Sequence, residues 1–139
     1  ELLELSAVPS GSTLPGRRQD IADTDLEAGQ VIKAIPGGHI SSATGGLGPS
    51  NVAAGDGDGD AVKGIAYPAA AAGELAAWYP TGSWVPIAGL APGPVYRSTA
   101  GRMVSGAELV NQQWTNQVGI SDGTKVEVLI TPGFQWSTS

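Results

Sequence analysis

Residues 117–131 read QVGISDGTKVEVLIT, and this stretch indicates the class of fold. Val126, Val128 and Ile130 occupy every second position, a spacing typical of a strand with one buried face. Asp122-Gly123 separates this strand from residues 117–121 and is a strong signal for a two-residue hairpin turn, because both central positions of the favoured turn need positive φ. We therefore expect an antiparallel hairpin in which Glu127 faces solvent.

The same alternation of short strands and turn residues extends outward from this hairpin. A second hairpin is predicted around Ala100-Gly101, and a third around residues 80–83, where Trp78 and Trp84 would be cross-strand neighbours. Pro86 cannot donate a ladder hydrogen bond, so its strand is expected at a sheet edge. The predicted strands cover residues 30–35, 39–42, 61–67, 75–79, 84–87, 94–99, 102–105, 117–121 and 124–131.

The composition argues against a helical bundle. The 139 residues include 21 glycines and 10 prolines, both of which weaken helix interiors. Residues 69–77 contain a glycine and are expected to run as a loop into a strand, and residues 105–113 have room for one or two helical turns. We predict an all-β fold, a small β-barrel or β-sandwich of short antiparallel strands with an extended N-terminal arm.

Acidic residues divide the chain near residue 27. Six of the 13 acidic side chains lie within residues 1–27. We predict an extended N-terminal arm over residues 1–26 and a β-rich domain over residues 27–139. The start of the arm is either a frayed terminus without a role or a segment that docks on a partner. Four apolar side chains favour docking and are the predicted partner contacts: Leu2, Leu3, Leu5 and Val8.

Charge and cysteine content narrow the classes of function. Seven basic and 13 acidic residues give a net charge of −6, and a nucleic-acid partner is not expected because it requires a cationic face. No apolar run reaches the length of a membrane span, so no membrane partner is expected. The absence of cysteine removes disulfides, zinc–thiolate sites and thiol nucleophiles.

Two sequence features invite a catalytic or metal-binding interpretation. The single histidine, His39, lacks a second histidine or a cysteine with which to form an ordinary metal site. Asp56, Asp58 and Asp60 have the spacing that opens a calcium loop, but Ala61 and Tyr67 stand where that loop needs Gly and Glu. We therefore predict no enzyme activity, no catalytic residue, no metal site and no cofactor; the Gly-Asp run over residues 55–60 is either a solvated acidic loop or an accessory cation site.

Aromatic side chains are the remaining candidates for binding. In a small β-domain such residues fill the core or a subunit interface more often than they form a platform for sugars. Both interpretations stay open for the set as a whole, which comprises Trp78, Trp84, Trp114, Trp136, Tyr67, Tyr79 and Tyr96.

Four segments in order resemble the small capsid cement, or head decoration, proteins of tailed bacteriophages. They are AGQVIKA at 28–34, VKGIAYPAAAAGE at 62–74, GSWVPIAGLAPGPVYRSTAGRM at 82–103 and QVGISDGTKVEVLI at 117–130. The resemblance covers residues 27–131. The acidic Gly-Asp loop and the long N-terminal arm depart from the family pattern.

The resemblance implies a structural virion protein that binds the outer surface of an assembled head and stabilises it. Its implied partners are the major capsid protein and, in a homotrimer, two further copies of itself. The alternative is a trimeric tail-fibre or receptor-binding domain with exposed Trp and Tyr, and a third class is an enzyme or carbohydrate-binding module. Aromatics in an exposed concave face would favour the fibre or lectin class; aromatics buried at a three-fold axis would favour decoration.

Overall fold

The computed structural model describes residues 16–35, 38–44 and 61–137. Within these ranges the chain forms β-strands and one short 3-10 turn at Gly106–Glu108. The strands are Arg18–Ala22 (β1), Val31–Ile35 (β2), His39–Ser42 (β3), Val62–Ala66 (β4), Leu75–Tyr79 (β5), Trp84–Val85 (β6), Gly93–Arg97 (β7), Met103–Ser105 (β8), Trp114–Thr115 (β9), Gln117–Ser121 (β10), Val126–Val128 (β11) and Phe134–Gln135 (β12). The prediction of an all-β fold with at most one or two helical turns is confirmed for this part of the chain.

The first five strands close into a barrel in the order β1-β3-β2-β4-β5. Neighbouring strands are antiparallel except β1 and β3, which run parallel. A closed ring of five strands requires such an exception, because directions cannot alternate all the way around an odd number. The expectation of antiparallel strands therefore holds for every barrel pair but this one.

A second, antiparallel sheet follows in the order β6-β11-β10-β7-β8, and β9 pairs with β12 in a short ribbon. The predicted hairpin around Ala100-Gly101 is present as β7 and β8, which pair through Tyr96 and Val104. The edge position of β6 agrees with the expectation from Pro86.

The predicted hairpin around residues 80–83 is wrong. β5 pairs with β1 and β4 in the barrel, whereas β6 pairs with β11 in the second sheet. Trp78 consequently lies opposite Arg18 and Ala66, and Trp84 lies opposite Glu127. Turn residues of this kind can join two strands of a hairpin or two strands in different sheets. Here the burial of Val85 beside Val126 determines which strand β6 pairs with.

The N-terminal boundary predicted at residue 27 lies too far along the chain. Residues 18–22 form β1 and complete the barrel between β3 and β5. Trp78 Nε1 donates a hydrogen bond of 2.8 Å to Asp20 Oδ2, which ties this acidic segment to β5. An arm can therefore comprise only the residues before Gly16, all of which lie outside the described ranges.

Two hydrophobic clusters support this architecture. The smaller cluster has one buried member on each barrel strand, together with Leu26: Ala22, Ile32, Ile40, Ala66 and Ala76. The larger cluster joins barrel residues such as Val31, Ile65 and Tyr79 to residues of the second sheet such as Val95 and Val126. Each of these five side chains is fully buried. One face of the second sheet is therefore covered by the barrel.

The hairpin predicted within residues 117–131 is present as β10 and β11, but its turn is centred one residue later than expected. Ser121 pairs with Val126, and the Asp122 N–H donates to the Lys125 carbonyl at 3.1 Å. Gly123 has a φ of +95°, as predicted, whereas Asp122 does not have positive φ. Asp122 Oδ1 accepts hydrogen bonds from the Thr124 and Lys125 N–H groups, which holds Asp122 at the first position of the turn.

Gly123→Val should lower the free energy of unfolding by about 1–2 kcal/mol, the cost of holding a β-branched residue at positive φ. A Cβ at this position meets only Pro92 Cγ, at an ordinary 3.8 Å, so the loss would come from backbone conformation and not from a clash. Urea denaturation measures it. Gly123→Asn is the matched control, because Asn tolerates positive φ and should lose less; equal stability of all three proteins would contradict this account of the turn.

Candidate interaction surface

The outward face of the second sheet carries a continuous row of side chains across four strands. Trp84 on β6 lies opposite Glu127 on β11, which lies opposite Ile120 on β10, which lies opposite Pro94 on β7. Directly opposed residues share one face of a sheet. All four are partly or fully exposed, and Ile120 is 42% exposed. This row, together with the aromatic cluster described next, is called the outer face below.

An aromatic cluster continues the outer face beyond the row. Tyr96 contacts the Trp136 ring edge-on at a centroid distance of 4.9 Å, and Phe134 lies 6.3 Å from both rings. The backbone holds Trp136 in place, because its carbonyl accepts from the Gln112 N–H at 2.6 Å and its N–H donates to Gln113 O at 2.7 Å. Edge-to-face rings of this kind stabilise one another, so the cluster is a fixed apolar platform.

A cleft of about 240 Å³ opens between β6, the β10–β11 turn and the outer face. Trp84 and Ile120 supply its large apolar side chains, and its other lining residues are Gly82, Ser83, Ser121, Asp122, Lys125 and Glu127. The combination of apolar walls with hydroxyl and charged groups suits a ligand that has both apolar and hydrogen-bonding parts.

The charges at the turn beside the cleft are tightly paired. Lys125 Nζ donates a hydrogen bond of 2.8 Å to Asp122 Oδ2. That bond, followed by hydrogen bonds from Thr124 and from the Lys125 backbone, holds the pKa of Asp122 well below its usual range. Asp122 in turn raises the pKa of Lys125. Both groups are charged at neutral pH and offset each other, so Glu127 is the unbalanced charge of the cleft lining.

A second hollow of about 260 Å³ lies between the barrel and the second sheet. Gly29, Ile87 and Met103 are among its lining residues. Arg102 Nη2 donates a hydrogen bond of 2.8 Å to Glu27 Oε2, and both side chains are well exposed. An exposed ion pair of this kind adds little to stability, and the hollow holds no further constellation that indicates a reaction.

The structure describes only some of the candidate residues that the sequence predicted. Leu2, Leu3, Leu5, Val8 and the Gly-Asp run over residues 55–60 lie outside the described ranges. His39 is half-exposed on β3, with Nδ1 3.7 Å from Asp23 Oδ1.

The aromatic residues divide between core and surface. Tyr79 is fully buried, and Tyr67 packs against the larger cluster. Trp78 belongs to the barrel, packed against the smaller cluster. Trp114 is half-buried on β9. Trp84, Tyr96 and Trp136 lie on the outer face together with Phe134, and these residues are the aromatic candidates for contact with a partner.

Sequence reasoning missed three residues of the outer face: Ile120, Pro94 and Phe134. The register of β10 against β7 shifts between Gln117 and Gly119, so simple alternation does not give the correct face for Ile120. Phe134 reaches the surface only because β12 pairs with β9, a contact between distant parts of the sequence.

Within residues 16–35, 38–44 and 61–137, no group of three or more His, Asp or Glu side chains is placed to hold a metal ion. No helix in these ranges is long and apolar enough to cross a membrane.

No family model matches the chain, and no curated protein is significantly similar to it.

Asp122→Asn should destabilise the protein at neutral pH, because the amide keeps an oxygen acceptor for the turn but loses the charge that pairs with Lys125. The pKa of Asp122 is lower in the folded protein than its ordinary value of 3.8, so this stabilisation is fully present well above that value and is lost progressively as pH falls from it towards the lowered folded pKa. The difference in melting temperature between parent and variant should therefore shrink in acid.

Glu127→Gln is the control, since it removes one negative charge from the same surface without touching these hydrogen bonds. A difference between parent and Asp122→Asn that is as large at pH 2 as at pH 7 would contradict the charge pairing.

Proposed function

We propose that this chain is a structural virion protein that binds the outer surface of a tailed-bacteriophage head and stabilises it. Its partner is the major capsid protein, and it acts as a homotrimer on the assembled virion. The proposal includes no catalysis, cofactor, nucleic-acid partner or membrane partner. The observation that carries it is an outer face that exposes Ile120, Phe134 and aromatic rings, close to the point where the N-terminal segment enters the fold at Gly16.

The outer face supports a protein partner. Ile120 and Phe134 are 42% and 36% exposed on a surface that also includes Trp84, Tyr96 and Trp136. Exposed apolar side chains that adjoin one another mark interaction surfaces more often than isolated ones do, and Trp and Tyr are enriched at the centres of interfaces. The row and the aromatic cluster span several strands, an extent that fits a protein surface better than a small ligand.

The segments that resemble the decoration family give further support, because two of them fall on strands that form this surface. Val95-Tyr96 lies on β7 and Val118-Gly119-Ile120 on β10, whereas Gly64-Ile65-Ala66 lies on barrel strand β4. These positions combine buried residues of the core with exposed residues of the outer face. The resemblance therefore concerns the residues that build the surface as well as the turns between strands.

Charge supports a protein partner over DNA or RNA. The net charge of −6 repels a phosphate backbone, and the outer face presents Glu127, with the offset Asp122–Lys125 pair in the adjoining turn. A head surface offers a folded protein lattice. Binding several sites of such a lattice through a trimer would raise avidity without strong individual contacts.

A trimeric tail-fibre or receptor-binding domain is the second candidate. The observation that favours it is the cleft beside Trp84, where an aromatic ring, hydroxyl groups and a carboxylate meet. Binding to host cells without binding to heads would support this alternative, and binding to heads without binding to cells would support decoration.

Deletion of residues 1–15 should leave the barrel folded and weaken binding to heads roughly tenfold or more, because multivalent attachment loses one set of contacts. The deletion must stop there, since removing residues 18–20 would take away part of β1. Co-sedimentation with empty heads, before and after their expansion, measures the loss.

Replacement of Leu2, Leu3, Leu5 and Val8 by Ser should reproduce the loss in the full-length chain. The matched control changes Glu1 and Glu4 to Gln, which retains the apolar side chains and should bind normally. Heads decorated equally well by the truncated and the complete protein would remove the arm from the proposal, and no binding by the complete protein would refute decoration itself.

A further inference from the structure

The chain enters the described fold at the edge of the cleft. Gly16 lies so close to Ser83 that a Cβ added at Gly16 would overlap the Ser83 hydroxyl oxygen, and Gly16 has a φ of +83°. Ser83 is itself one of the cleft-lining residues, next to Trp84. The positive φ favours glycine here, and the Ser83 side chain would have to move to admit any other residue, so this close approach is part of the fold.

The residues immediately before Gly16 form an uncharged stretch in which apolar and hydroxyl side chains are mixed. Residues 5–16 read LSAVPSGSTLPG and contain no charged side chain. Leu14 is the first large apolar residue before Gly16, and two residues of extended chain span at most about 7 Å. Pro15 disfavours helical backbone at Leu14 and favours an extended conformation. Leu14 is therefore tethered within reach of the cleft.

The cleft matches such a peptide better than a charged ligand. The Asp122–Lys125 hydrogen bond offsets the two charges of the turn, which leaves no free cation for an anionic ligand and only Glu127 for a cationic one. Trp84 and Ile120 offer a site for one branched apolar side chain. Ser83 belongs to the same lining, and its hydroxyl group suits a peptide backbone; the Ser121 hydroxyl already donates to the Leu90 carbonyl and accepts from the Gly123 N–H.

We propose that residues 13–15 of the same chain dock in this cleft, with the Leu14 side chain between Trp84 and Ile120. This contact fixes the root of the N-terminal segment on the outer face. Val8 lies eight residues before Gly16, so the apolar group Leu2, Leu3, Leu5 and Val8 can begin about 26 Å away at full extension. The cleft thus sets where the segment leaves the domain, while its apolar end stays available to a partner.

This inference concerns the isolated protein and does not depend on binding to phage heads. A cysteine pair tests it cleanly, because the natural chain contains no cysteine. Leu14→Cys with Ile120→Cys should form an intramolecular disulfide on mild oxidation of dilute full-length protein, since docking would bring the two Cβ atoms to a separation that allows the sulfur atoms to bond. The matched control is Leu14→Cys with Leu75→Cys, which places the second cysteine at an exposed position on barrel strand β5.

The proposal predicts a several-fold excess of intramolecular disulfide in the cleft pair over the control pair, read on non-reducing gels. Equal yields in the two pairs would overturn it. A covalent dimer as the main product of the cleft pair would also overturn it, because the segment would then dock on a second copy.

Tryptophan fluorescence gives a second test without engineered cysteines. Deletion of residues 1–15 should increase the quenching of fluorescence by acrylamide, because Trp84 loses its cover. The increase should disappear when the same deletion is made in a Trp84→Phe background, where the remaining tryptophans report alone. Quenching that is unchanged by the deletion, or that increases equally in both backgrounds, would contradict docking at Trp84.

Discussion

The rest of the structure depends on the apolar contact between the five-stranded barrel and the second sheet. Val31, Ile65 and Tyr79 from the barrel belong to the same buried cluster as Val95 and Val126 from the sheet. The contact covers one face of the sheet. The side chains that alternate with the buried ones along each strand then lie on the opposite face. The outer face is therefore a consequence of how the core is shared.

Hydrogen bonds strengthen this junction. The Gly101 carbonyl, in the β7–β8 turn, accepts from the Val31 N–H at 2.7 Å and from Gln30 Nε2 at 2.8 Å. A Cβ at Gly101 would lie 2.6 Å from the Ala43 carbonyl oxygen, so only glycine allows the turn to approach the barrel this closely. Within the sheet, buried Arg97 donates through Nε to Asn116 Oδ1 at 2.8 Å. The bonds to Gly101 fix the sheet relative to the barrel. The Arg97 bond satisfies polar groups buried within the sheet.

The sequence predicted the elements whose information is local, and failed where the pairing is distant. Asp122-Gly123 and Ala100-Gly101 mark their hairpins through turn chemistry alone. Residues 18–22 carry little apolar pattern, and they form β1 because β3 and β5 supply partners on either side. The same reason explains why the cleft was not foreseen, since it requires β6 to leave β5 and pair with β11.

The proposed function is decoration of a tailed-phage head through the outer face and the N-terminal segment. Electron cryomicroscopy of empty heads incubated with the full-length protein tests this most directly. The account predicts density for three copies around each three-fold position on the outside of the shell, with the second sheet's outer face and the segment before Gly16 directed at the major capsid protein. Heads that carry no added density on their outer surface at saturating protein would contradict it.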